Sequence, residues 1–586
     1  MILNKLQVIA IAALFSCYLG IAQEAFTQVT PTGINNFFYP ALDWGDINGD
    51  GFNDVVISGG IDTSGDLSAD TSQISIFTNN NNGTFTELST PNIYGLHLGD
   101  VKFMDIDNDG DLDLLTTGQN YNDIYNYYLK IYLNDNSQFT ETQSMDGVIF
   151  ASIDAGDYDN DGDLDLLISG AFQAHDGAST ITKIFDNNNG VFTESSVTVP
   201  AVQNGKAAFG DLDSDLDLDI IIMGNDINYS PIFKTYTNNL GSYTEHQVLP
   251  AMSDGWFDLG DFDSDGDLDV AIMGYDENYD YASKIFSNTN GTFSEHAVLT
   301  GLGNFGATKP IAWGDYDNDG DLDLVISGSD DDYNDVTHLY QNTNNVFTLI
   351  DEGLVNLGGS ASLGWSDIDN DNDLDIIISG FNYDENNEYT SFTVLHENTT
   401  SISNLKPNAP TNLTNTVNES GITTFAWDAP SDDLTQSPGL FYWLSVGTTS
   451  NGSEIASYRI DGTSWSIKGL DPNTNYYWSV QAVDAAFVFS DKATMESLSI
   501  EGYGLDSTIR VYPVPSKGKN ITVALPQVFQ GSKELNIEIY STLGQLVLAI
   551  TLEHTTTLNL SQLNNGTYII KIVGDSFQTT KKIILL

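Results

Sequence analysis

From about residue 38 to residue 398 the chain alternates short apolar runs with dense polar loops, always in the same order. A brief apolar stretch such as "IAWG" (311–314) leads into a loop of aspartates. An unbroken apolar run ending in glycine follows, such as "LVISG" (324–328), and then a polar loop carrying tyrosine. Two alternating segments around an Asn-Gly turn, such as "KIFDNNNGVFTES" (183–195), close the unit. Unbroken apolar runs of this length predict fully buried strands, alternation predicts half-buried ones, and Asn-Gly between them predicts a hairpin. No helical period appears in this region.

The unit recurs with its first aspartate at 46, 105, 157, 211, 261, 315 and 367, a spacing of 50 to 59 residues. About four short strands every ~50 residues predicts the blade of a β-propeller, a closed ring that leaves no exposed sheet edge. Seven units predict seven blades. The last unit lacks a clear fourth strand, whereas "EAFTQVTPTG" near the N-terminus is similar to "GTFTELSTPN" (83–92). The N-terminal strand is therefore expected to complete the seventh blade, with "TSISNL" (400–405) as the rival.

Each acidic loop can be written D-x-D-x-D-G-x-x-D. Oxygens at positions 1, 3, 5 and 9, with the carbonyl of position 7, converge if position 6 allows a sharp turn. The predicted ligand sets are Asp46, Asn48, Asp50, Phe52 and Asp54; Asp105, Asp107, Asp109, Asp111 and Asp113; Asp157, Asp159, Asp161, Asp163 and Asp165. The next four are Asp211, Asp213, Asp215, Asp217 and Asp219; Asp261, Asp263, Asp265, Asp267 and Asp269; Asp315, Asp317, Asp319, Asp321 and Asp323; Asp367, Asp369, Asp371, Asp373 and Asp375. An oxygen-only, flexible shell of this size suits calcium better than magnesium, and the absence of histidine and cysteine argues against zinc. An EF-hand would need a glutamate at position 12 and flanking helices, and position 12 after Asp105 is Thr116. Up to seven calcium ions are expected. The loop starting at Asp211 should bind most weakly, because Leu216 stands where glycine is favoured, at a cost of about 1–2 kcal/mol. At millimolar extracellular calcium each site would contribute roughly 0.4–1.4 kcal/mol.

These loops resemble FG-GAP or VCBS repeats, the units of integrin-alpha-like propellers, over residues ~24–404. "AFG" before Asp211 and "AWG" before Asp315 stand in the place of that family's Phe-Gly. The resemblance implies a seven-bladed calcium-binding propeller over 23–404 whose metals are mostly structural.

After residue 405 the grammar changes. "TTFAWDAP", "LFYWLSVGT" and "GLDPNTNYYWSVQAVD" resemble a fibronectin type III domain, predicted over 405–500. Leu470, Pro472, Thr474 and Tyr476 look like its tyrosine corner. A linker (501–508) precedes "IRVYPVPSKGKNITV" and "LNLSQLNNGTYIIKI", which resemble a type IX secretion C-terminal sorting domain of the Bacteroidetes type over 509–586. Val514 departs from that family's usual asparagine. The fold class is thus all-β, a propeller followed by two small β-sandwiches.

Composition narrows the function. The formal net charge is -63, and 33 of the 82 acidic residues lie in the seven loops, so the charge is collected rather than scattered. Such a charge argues against nucleic acid and anionic membranes. Lys5 followed by an apolar run from Leu6 to Leu19 predicts a signal peptide over 1–22, leaving no transmembrane segment and no cysteine, since Cys17 lies within it. Secretion or outer-surface anchoring follows. No catalytic motif is present: His246 and His296 recur at matching repeat positions, and His97, His175, His338, His396 and His554 have no evident nucleophile beside them. The loops at the opposite end of each buried strand carry Tyr121, Tyr125, Tyr229, Tyr279, Tyr333, Tyr383 and Tyr389 among amides and carboxylates, a combination suited to sugar recognition. The expectation is a binding or adhesion protein for a polysaccharide or extracellular matrix ligand, exported by the type IX machinery. A carbohydrate-active enzyme resembling propeller lyases is the alternative, and a structural surface-layer component a third.

Overall fold

A computed structural model describes residues 25–29, 33–64, 69–90, 92–174, 177–239, 241–303, 309–350, 353–383, 389–400, 402–418, 421–471, 474–499, 510–524, 535–541, 544–552, 556–573 and 578–586. The expected signal peptide and the 501–508 linker lie outside these residues. The described chain is built of β-strands, with one 3₁₀ turn (Ser437–Gly439) and no α-helix.

Residues 26–398 form seven antiparallel sheets of four strands. Burial in the sheets is greatest in the second strand and falls from there to the last, following the sequence pattern. In the fifth sheet, "DVAIMGY" (Asp269–Tyr275) is almost wholly buried, Tyr281–Thr289 alternates, and Thr292–Leu299 is mostly exposed. The seventh sheet contains three local strands (Gly359–Ser366, Asp375–Tyr383, Tyr389–Asn398) and takes Phe26–Val29 as its fourth, pairing Phe26 with Asn398. The N-terminal segment therefore fills the place predicted for it, and 400–405 does not.

Neighbouring sheets pack first strand to first strand, and the seventh sheet packs against Phe38–Gly45 of the first. Three ion pairs reinforce this inner layer: Lys102–Asp154 at 3.4 Å, Lys206–Asp258 at 3.3 Å and Lys309–Asp43 at 3.2 Å. The second oxygen of each aspartate accepts a main-chain N–H from the next sheet: Phe209 to Asp154, Trp313 to Asp258, and Phe103 to Asp43. Each half-buried carboxylate is thereby both paired and hydrogen-bonded, which offsets its partial loss of water.

Residues 411–499 form a sandwich of a three-stranded and a four-stranded sheet. Phe425, Trp427, Tyr442 and Trp478 make its aromatic core. The Tyr476 hydroxyl accepts the Asp471 N–H at 2.9 Å, the bond expected of a tyrosine corner. Pro472 of that motif lies outside the described residues. A second sandwich, 510–585, closes over Ile521, Val523, Ile537, Ile539, Ile570 and Ile583.

Candidate metal centres

Every acidic loop joins the first strand of its sheet to the second, and its last aspartate opens the second strand. The seven share one hydrogen-bonding plan. The position 1 carboxylate accepts the N–H of position 5 on one oxygen and of position 6 on the other, at 2.8–3.2 Å in all seven. The position 9 carboxylate accepts the N–H of position 2 at 2.8–3.3 Å. These bonds fold the loop around its own carboxylates. They require a left-handed residue at position 6, and Gly51, Gly110, Gly162, Gly266 and Gly320 supply it. Leu216 takes the same conformation at φ 74° and Asn372 at φ 68°, so both departures keep the loop's shape.

At position 3, Asp107, Asp159, Asp213 and Asp263 each hold a buried Oδ1 with no hydrogen-bond partner. An orphaned, buried carboxylate oxygen is costly, and the same atom is orphaned in these four repeats. Asp105, Asp107 and Asp113 bring one oxygen each within 4.8 Å of one another, as do Asp157, Asp159 and Asp165; Asp211, Asp213 and Asp219; Asp261, Asp263 and Asp265; and Asp315, Asp317 and Asp323. The donor set and the orphaned oxygens fit a hard cation. The first loop differs: Asn48 donates its amide to Asp54 at 3.3 Å. In the third, fifth and sixth loops the position 7 side chain is taken up by the following hairpin turn, where Asp163, Asp267 and Asp321 accept the Asn189, Asn290 and Asn344 N–H groups. A position 7 ligand would thus be the carbonyl, as predicted for Phe52, Asp111 and their counterparts.

Crowding of carboxylates raises their proton affinity. Burial first, and neighbouring aspartates second, push Asp105 and Asp261 up to about 7, Asp113 and Asp219 to about 8, and Asp165 and Asp269 to about 9.

One set of residues escaped the sequence reading. Asn79, Asn134, Asn187, Asn238, Asn288, Asn342 and Asn398 are the last or last but one residue of the third local strand of each repeat, and all are buried. The main-chain N–H of each donates to its own position 9 aspartate at 2.7–2.8 Å. Its side-chain amide donates to the position 2 carbonyl of the preceding loop at 2.6–3.0 Å. Asn79 reaches Ile368 of the seventh loop, so the chain of contacts returns to its start. Each candidate centre is wired to its neighbour. The signal was present as an asparagine recurring before the hairpin turn of the first six units and again at Asn398.

The tyrosines divide. Tyr229, Tyr279 and Tyr333 are 68, 80 and 83% exposed, and Tyr125 is 74% exposed. Tyr121 is half-buried and stacks flat on the buried His97 ring at 3.9 Å. The side chains of Tyr383 and Tyr389 lie outside the described ones. Tyr229, Tyr279 and Tyr333 share a loop design, each at φ 60–65° with its N–H bonded to the carbonyl of the aspartate three residues earlier. That aspartate (Asp226, Asp276 or Asp330) also accepts the N–H groups two and four residues on.

His296 bonds the Asn345 carbonyl of the neighbouring sheet at 2.9 Å, and His396 accepts the Val355 N–H. Contrary to expectation, His97 does have a hydroxyl beside it, Ser72 Oγ at 2.8 Å. Both are buried, and the other ring nitrogen faces the Gln119 amide rather than a carboxylate. The acid that would orient a catalytic imidazole is not among these contacts. His175 and His554 lie outside the described residues.

Residues 66–116, 105–168, 261–326 and 315–378 match the FG-GAP-like repeat. Those spans take in the loops at 105, 157, 261, 315 and 367, and leave out the two that carry Asn48 and Leu216. A solved structure of the chicken CNTN1 FN1-FN3 domains is similar at 15% identity, covering 36% of this chain and 76% of that one, with a TM-score of 0.16. No curated protein matches. Among the described residues no helix is long and apolar enough to cross a membrane. Residues 510–586 match the secretion system C-terminal sorting domain, and the protein that carries it is exported, to the cell surface or into the medium.

Proposed function

We propose that the seven sheets form a closed propeller stabilised by calcium, and that this exported protein binds polysaccharide without transforming it. Support for the metals comes from the orphaned Oδ1 atoms of Asp107, Asp159, Asp213 and Asp263. Calcium would be held by positions 1, 3, 5 and 9 with the position 7 carbonyl, and would neutralise carboxylates that otherwise repel one another.

The observation that carries the binding role is the repeated tyrosine loop of the fourth, fifth and sixth sheets. A bulky residue held at positive φ costs about 1 kcal/mol or more, and a solvated tyrosine gains nothing in return. Repetition of that cost at Tyr229, Tyr279 and Tyr333 favours rings presented to a ligand. Hydrogen bonding holds Asp226, Asp276 and Asp330 below the usual carboxylate range, so these loops are anionic. An anionic surface bearing aromatic faces suits a neutral sugar chain and repels an acidic one. Matrix proteins are the second class of ligand, and a glycan and matrix-protein array read with and without calcium separates the two. Replacing Tyr279 and Tyr333 together with alanine should abolish the neutral-glycan signal while leaving the melting temperature in calcium unchanged. An unaltered signal would overturn the binding site.

A further inference from the structure

The 411–499 sandwich rests on the acidic loops, and its contacts with the third loop reach the candidate ligands themselves. Tyr458, buried on strand Ala456–Ile460, donates its hydroxyl to Asp157 Oδ2 at 2.7 Å while accepting the Trp465 indole N–H at 3.1 Å. Lys468 pairs with Asp159 Oδ2 at 2.9 Å, and its main-chain N–H donates to the Asn160 carbonyl at 2.6 Å. Asp159 Oδ1 keeps no hydrogen-bond partner, so the lysine holds one oxygen and leaves the other for the loop interior. The backbones also meet. A Cβ on Gly162 would lie 2.7 Å from the Ile455 carbonyl oxygen, and one on Gly320 2.2 Å from that of Leu434.

We propose that cation binding at the third loop and seating of the sandwich stabilise each other, with Tyr458 and Lys468 as the positioning residues that join them. The inference rests on the calcium reading above. Tyr458 fixes the carboxylate of position 1, and Lys468 fixes that of position 3. A group that orients a ligand carboxylate raises metal affinity, and thermodynamic reciprocity makes the bound metal hold the orienting module equally. The charge of Lys468 does not forbid this, because the loop gathers five carboxylates, from Asp157 to Asp165, against one divalent ion.

The test uses the full mature chain and limited proteolysis of the segment that joins the seven sheets to the sandwich, near residues 399–410. In millimolar calcium, Asp157→Asn should be cleaved there about tenfold faster than the parent. Asp211→Asn, which removes the corresponding ligand of the fourth loop, should be cleaved at the parent rate. Tyr458→Phe, which keeps the packing, should shift the calcium concentration that protects the segment upward by about tenfold. Equal cleavage of the two asparagine variants, or an unmoved midpoint in Tyr458→Phe, overturns the linkage. A parent chain that binds no calcium in equilibrium dialysis defeats the metal reading instead, which separates the two failures.

Discussion

At the scale of single residues, the calcium reading proposed above makes proton and cation competitors for the acidic loops. Asp113 and Asp165 are held near 8 and 9 by burial and by their neighbours. A carboxyl whose folded value lies above its unfolded value near 4 binds more protons in the folded state. Its stabilising contribution is complete below about pH 4 and is lost as pH rises through the folded value. Chelated protein should therefore lose thermal stability between about pH 5 and pH 9. With calcium the sign reverses, since the ion needs the ionised form and binds more tightly as pH rises. Melting curves across that range with and without chelator measure both slopes, and parallel slopes would refute the competition. The shared fold of the acidic loops was legible because nine consecutive residues carry it. The stacking of Tyr121 on His97 was not, because the two lie 24 residues apart and nothing near either announces the other.

At the scale of elements, position 6 is constrained unequally. Gly51 has open space around a hypothetical Cβ, whereas Gly162 and Gly320 lie against the sandwich backbone. Gly51→Ala should cost about 1 kcal/mol, the price of positive φ alone. Gly320→Ala should cost about 3 kcal/mol or more, because the loop or the sandwich must also shift. Denaturant melts of the two variants in calcium check the order, and equal losses would contradict it. The strands themselves were readable from their patterns, down to the N-terminal strand paired with Tyr389–Asn398. The asparagine relay was not, since its partners sit about 80 residues apart and only the packing of adjacent sheets joins them.

At the scale of the whole molecule, the features form one circuit. Position 9 aspartates anchor asparagines, asparagines hold the preceding loops, and Asn79 brings the circuit back to Ile368. Inner ion pairs run through the same sheets, and the 411–499 sandwich rests on their loops. The repeat grammar announced seven similar units but was silent on the sandwich's seat, because docking surfaces leave no period in a sequence. A chain with no cysteine beyond Cys17 has no disulfide to brace this circuit, and on the proposed reading calcium at the acidic loops takes that part. Elemental analysis of the folded, mature protein after dialysis against millimolar calcium tests this most directly. The account predicts about seven calcium ions per chain, the ion of the Asp211 loop leaving first as free calcium is lowered. A folded protein with essentially no bound calcium, melting at the same temperature in chelator, would contradict it.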